Sequence, residues 1–181
     1  MFHMVAVDIE RNVDCKLMAM PSDERAIGAD GLVENHDYVD IRGISPEEAI
    51  DVINEEAELL DRLAKIPAED QETQIDEIGS ELIEDFSPLR EFDLGVAGLV
   101  NTLSSIGCVP ISSCNGGALG DFHELPHPWV IFHAPPPVLG LLLKAAEQAD
   151  TGLINNMDGM LEIFADDIRK FNAMARYLTD R

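Results

Sequence analysis

CVPISSCNGGALGDFHELPHPWVIFHAPPPVLGLLLKAAEQADTGLINNMDGMLEIFA, residues 108 to 165, is the stretch whose reading decides the fold. It opens on a short apolar run, Cys108–Ser113, and a second follows at Trp129–His133. Both have the length and the apolar, partly β-branched content of buried strands. Pro135-Pro136-Pro137 then opens a largely apolar helix running from Val138 to about Gln148. Proline suits that position because the first turn leaves its N–H groups unpaired in any case. Asp158-Gly159 lies between Gly152–Met157 and Met160–Ala165, two strand-like runs. That pair takes up the positive φ of a two-residue hairpin turn at low cost, so a hairpin is predicted.

Working outward, Asp93 is placed to cap a helix with Val96, Leu99, Val100, Leu103 and Ile106 on one stripe, ended by Gly107. Downstream, Asp166 or Asp167 starts a helix that buries Ile168, Phe171, Met174, Tyr177 and Leu178. The order from residue 93 is α-β-β-α-β-β-α. Paired strands followed by single helices predict an antiparallel sheet with helices on one face, an α+β sandwich over 93–181.

Residues 1–92 have another texture. Met4–Val7 and Lys16–Met20 read as short strands broken by charged turns. Ser45-Pro46-Glu47-Glu48 is a helix start with a capping box, followed by Ala49, Ile50, Val52, Ile53, Leu59, Leu60 and Leu63 at helical spacing. Pro67 ends that helix near Lys65, and a second runs from about Ala68 to Glu84 on a sparse stripe of Ile75, Ile78, Leu82 and Ile83. The carboxylates of both helices are expected to face water. This acidic region, short strands and then a helical hairpin, is expected to pack with 93–181 as one compact unit, because 181 residues suffice for one well-packed domain.

The formal net charge is −23, and it is uneven. Residues 1–92 hold 25 carboxylates against 7 basic side chains, and residues 93–181 hold 10 against 5. Such a field repels phosphate backbones and anionic lipid, so neither nucleic acid nor membrane is expected as a partner. The run MFHMVAV is too short for a span and meets Asp8 and Glu10 at once, so a signal peptide or membrane helix is not expected. Three cysteines, Cys15, Cys108 and Cys114, cannot all pair within the chain, and no CxxC is present. An odd count fits reduced thiols and a cytoplasmic protein.

The chemistry-bearing residue types gather in Ser112–Pro128. One reading is a nucleophile: Cys114 at a strand end, Gly116 and Gly117 letting backbone amides turn toward an anion, and His123 or His127 as the activating base. A metal site is another, with zinc or iron on Cys114, His123, His127 or His133 held by irregular backbone. His123-Glu124-Leu125-Pro126-His127 matches HExxH, yet Pro126 and Pro128 deny it the continuous helix that a zinc protease needs. Binding without catalysis is a further reading, with Ser112, Ser113, Asn115, Gly116, Gly117, Asp121 and Glu124 contacting a polar or cationic ligand. Trp129 would wall such a pocket or belong to the core.

Ser112-Ser113-Cys114-Asn115-Gly116 resembles the SSCSG turn of the wybutosine-synthesis family of tRNA-modifying proteins. The resemblance covers these few residues. Gly117 stands where that family has a basic residue, and the acidic charge suits tRNA poorly. The alternative to a pocket is an interaction module, an acidic adaptor, inhibitor or immunity-type protein that binds a basic protein partner through the two acidic helices.

Overall fold

The computed structural model describes residues 5–21, 41, 43–84, 87–89, 92–116 and 125–180, with the backbone alone at several positions between 68 and 83. Within them lie five α-helices and a five-stranded sheet, an α+β arrangement.

The first helix, α1 (Pro46–Leu63), starts as its sequence requires. The Ser45 hydroxyl accepts from the Glu48 amide at 3.2 Å, and the Glu48 carboxylate accepts from the Ser45 amide at 2.8 Å. Two otherwise orphaned donors are thereby satisfied. Those bonds to Ser45 hold the Glu48 carboxyl below the usual range. Helix α2 (Ala68–Glu84) folds back, and its Ile78 joins Leu60 and Leu63 in a small core that also takes Ile168. Ile75 and Leu82 pack against that core, whereas the side chain of Ile83 lies outside the described residues.

Helix α3 (Ala97–Ser105) is buried from Ala97 to Leu103. Its C-terminus closes by a Schellman-type bond from the Cys108 amide to the Leu103 carbonyl at 2.9 Å, with Gly107 at φ +86°. Strands β2 (Val109–Cys114) and β3 (Trp129–His133) follow, then α4 (Leu139–Ala149) behind a 3-10 turn at Pro136–Val138. Strands β4 (Gly152–Asn155) and β5 (Leu161–Phe164) precede the last helix, α5 (Arg169–Thr179). With β1 (Arg11–Asn12), the sheet order is β1-β4-β5-β3-β2.

Four strands pair antiparallel, and β1 joins β4 in parallel through Arg11↔Leu153 and Asn12↔Ile154. A fifth, parallel strand was not expected from the sequence. The two residues of β1 are exposed and carry no alternating pattern to announce them. Val130, Phe132, Leu153 and Ile163 face Leu99 and Leu103 of α3, Leu142 of α4 and Phe171 of α5 in one continuous core. Pro110 is tolerated in β2 because that strand lies at the sheet edge and its register shifts between Pro110 and Ser112.

Several local expectations change. Lys16–Met20 is not a strand: Asp14 caps a 3-10 turn at Cys15–Leu17, and Met18 packs against the core. Of the other run expected there, Met4 lies outside the described residues, and 5–7 belong to no strand. The hairpin connection is longer than two residues. Strand pairing stops at Asn155↔Leu161, and Met157–Gly159 forms a 3-10 turn with Asp158 at φ +56°. Asp93 does not cap α3. The N-cap residue is Val96, which supplies no side-chain bond.

Glu56 of α1 reaches that bare helix start instead. It is fully buried, and its carboxylate accepts from the amides of Gly95 at 2.9 Å and Gly98 at 3.1 Å. The Ala97 amide and the Asn172 side chain add to this. A carboxylate at a helix N-terminus satisfies orphaned donors and opposes the positive end of the dipole. A Cβ at position 98 would stand 2.7 Å from Oε2, so glycine is what lets the carboxylate in. Desolvation outweighs the amide bonds and pushes the Glu56 carboxyl up to about 7. The expectation that the carboxylates of this helix face water therefore fails at Glu56.

Candidate functional site

Strand alternation sorts the residues of the Ser112–Pro128 segment. Cys114 pairs with Trp129 and Ser112 with Ile131, so these share one sheet face. Ser113 pairs with Val130, a fully buried residue of the helix-side core, and thus faces the other way. Ser113 is not brought to the face that carries Cys114.

Past Cys114 the chain turns sharply. Gly116 adopts φ +66°, and its amide donates to the Cys114 sulfur at 3.3 Å. A Cβ on Gly116 would meet the His127 carbonyl carbon at 2.1 Å and the Pro128 nitrogen at 2.5 Å. The backbone before β3 therefore lies directly against the turn after β2, which only glycine permits. Asn115 is buried, and its amide donates to Asp93 Oδ2 at 3.3 Å. The carboxylate read as a helix cap is thus a member of this site. Its role was missed because the contact joins residues 22 apart.

His127 leans from the same place onto Phe164, ring centroids 5.9 Å apart at 61° in an edge-on arrangement. Phe164 in turn lies over Gly152, where a Cβ would be 2.2 Å from its ring. Residues 125–127 form a bend rather than a helix, as Pro126 and Pro128 require. Gly117, Asp121, His123 and Glu124 lie outside the described residues. The structure thus brings together Cys114, Asn115, Gly116 and His127, with Ser112 on the same face, and adds Asp93.

Burial pushes the Cys114 thiol up from its ordinary value, the nearby Asp93 carboxylate adds to this, and the Gly116 amide opposes it. An anionic neighbour and partial burial disfavour the thiolate, the opposite of what an activated nucleophile needs. Burial alone raises Cys108 to about 12. His133 is buried, and its Nδ1 lies 2.7 Å from the Ala19 carbonyl. A carbonyl only accepts, so Nδ1 carries the proton in that bond. Among the described residues, no three His, Cys, Asp or Glu side chains come together as metal ligands. No helix among them is long and apolar enough to cross a membrane.

No protein family matches the chain, and no curated protein or solved structure is significantly similar to it.

Proposed function

We propose that the sheet end around Cys114, Asn115 and His127 binds a small polar ligand, with Cys114 acting as a protonated thiol rather than as a nucleophile. The close approach of Gly116 to the His127–Pro128 backbone carries this reading, because it sets Asp93, Cys114 and His127 around one turn. Asp93 is exposed and acidic, so a ligand bearing an amine or amide donor suits it. Trp129, half-buried on the face of Cys114, offers an apolar wall for the rest of the molecule. Asp121, His123 and Glu124 enter this reading from the sequence alone. A thermal-shift panel of amine- and amide-bearing small molecules, with carboxylic acids as controls, tests it. Stabilisation by the donor class, lost in Asp93→Asn and reduced in Cys114→Ser, is expected. Stabilisation that survives both substitutions overturns the assignment.

A second reading rests on the helical hairpin. Glu47, Glu48, Asp51, Glu58 and Asp61 of α1 and Glu77, Glu81 and Glu84 of α2 are exposed. Arg62 engages Glu81 at 2.8 Å and so offsets one of these charges. Such a surface suits a basic protein partner in a salt-sensitive complex.

A further inference from the structure

Of the large apolar side chains that the described residues leave exposed, three of five stand at one corner: Leu17 at 60%, Met20 at 43% and Met157 at 72%. The Ala19 amide donates to the Gly159 carbonyl at 3.0 Å, and a Cβ on Gly159 would stand 2.5 Å from that of Ala19. The chain carrying Leu17 and Met20 is thereby laid against the turn carrying Met157. The platform is anchored on several sides. Asn155 exchanges two hydrogen bonds with the Asp14 backbone, His133 holds the Ala19 carbonyl, and Met18 packs into the core. The backbone beneath the apolar tips is thus already ordered, so binding adds the side-chain ordering cost alone.

The surroundings are acidic. Asp14 and Asp158 are exposed beside the patch and Glu162 is half-exposed, against Lys16 on the same 3-10 turn. Methionines are soft and adaptable, and with acids around them they suit the apolar stripe of a cationic helix. We propose that Leu17, Met20 and Met157 form the anchor surface for a basic amphipathic helix of a protein partner. The proposal rests on the basic-partner reading above but places the apolar contact away from the acidic hairpin.

The test uses the full chain and a fluorescent synthetic amphipathic helix of leucine and lysine, followed by anisotropy at low and high salt. Leu17→Asp and Met157→Asp are the decisive variants. Each adds a negative charge, so simple attraction to a cationic peptide would tighten binding. The expected result is binding by the wild type and weakening of roughly tenfold or more in each variant, with unchanged circular dichroism. A hairpin variant, Glu47→Gln/Glu48→Gln/Asp51→Gln/Glu58→Gln, separates the two readings. If it abolishes binding while Leu17→Asp and Met157→Asp bind as wild type, the hairpin surface stands and the anchor surface is overturned. Absence of binding by the wild type overturns the anchor surface as well.

Discussion

Glu56→Gln tests how a buried carboxylate is carried in this fold. The side chain is fully buried between α1, α3 and α5, and its carboxyl is raised from 4.5 to about 7. An acid with a raised value in the folded state favours folding most at low pH. Its contribution is complete below about 4.5 and is lost as pH rises through about 7. A shift of this size corresponds to roughly 3 kcal/mol between the two limits. Glutamine keeps one acceptor oxygen but sets an amide NH2 against the donors of residues 95–98. That leaves a buried N–H unpaired at a cost of about 1–3 kcal/mol, independent of pH. The variant is therefore expected to be less stable than wild type at pH 5, with the gap closing or reversing by pH 8.5. Urea unfolding at several pH values, read by far-ultraviolet circular dichroism, measures this difference. The general repulsion among the other carboxylates is common to both proteins and cancels. A gap that stays constant across the range would refute the reasoning, because it would mean that the amides at the start of α3 keep Glu56 ionised throughout.

Other consequences follow from single contacts. Gly116→Ala must move the His127–Pro128 backbone and adopt φ +66° with a side chain, so a loss of at least about 1–3 kcal/mol is expected in thermal or denaturant unfolding. Alkylation of the native protein followed by mass spectrometry is expected to label exposed Cys15 first, half-buried Cys114 later and buried Cys108 last, with Cys114 accelerating as pH rises above neutral. Cys114 reacting fastest near neutral pH would restore the nucleophile reading. Leu103→Ala empties a fully buried position beneath the sheet and is expected to cost about 2–5 kcal/mol, measured as a lower urea midpoint.

Much of the secondary structure was legible because it is decided within a turn or two of chain. The capping box at Ser45 and Glu48 marks the start of α1, and the apolar spacing in Ala49–Leu63 gives most of its buried face, with Ile50 exposed instead. The α2 bounds, the extent of β3 and the α+β class follow from similarly local signals. The candidate site stands out in the sequence only as a region where glycine, cysteine and histidine crowd together, Ser112–Pro128, and its contact with Asp93 does not show there. Asp93 had the identity and position of a helix cap, and periodicity carries no sign that the Asn115 amide would claim its carboxylate.

By itself the sequence determined the helices, the strands of the C-terminal half and the acidity, and it showed Ser112–Pro128 as the stretch densest in chemistry-bearing residue types. These depend on propensity, capping and hydrophobic period, all of which act over short spans. Only the tertiary structure decided that Glu56 enters the core, that Arg11–Asn12 joins the sheet in parallel, that Ser113 turns away from Cys114, and that Gly116 lies on His127. Each is set by a distant partner: a helix start that lacks its own cap, an open sheet edge, a strand register, a backbone approaching within reach of a missing Cβ. Such partners meet only when the chain has folded, so the residues that need them carry no local mark of the need.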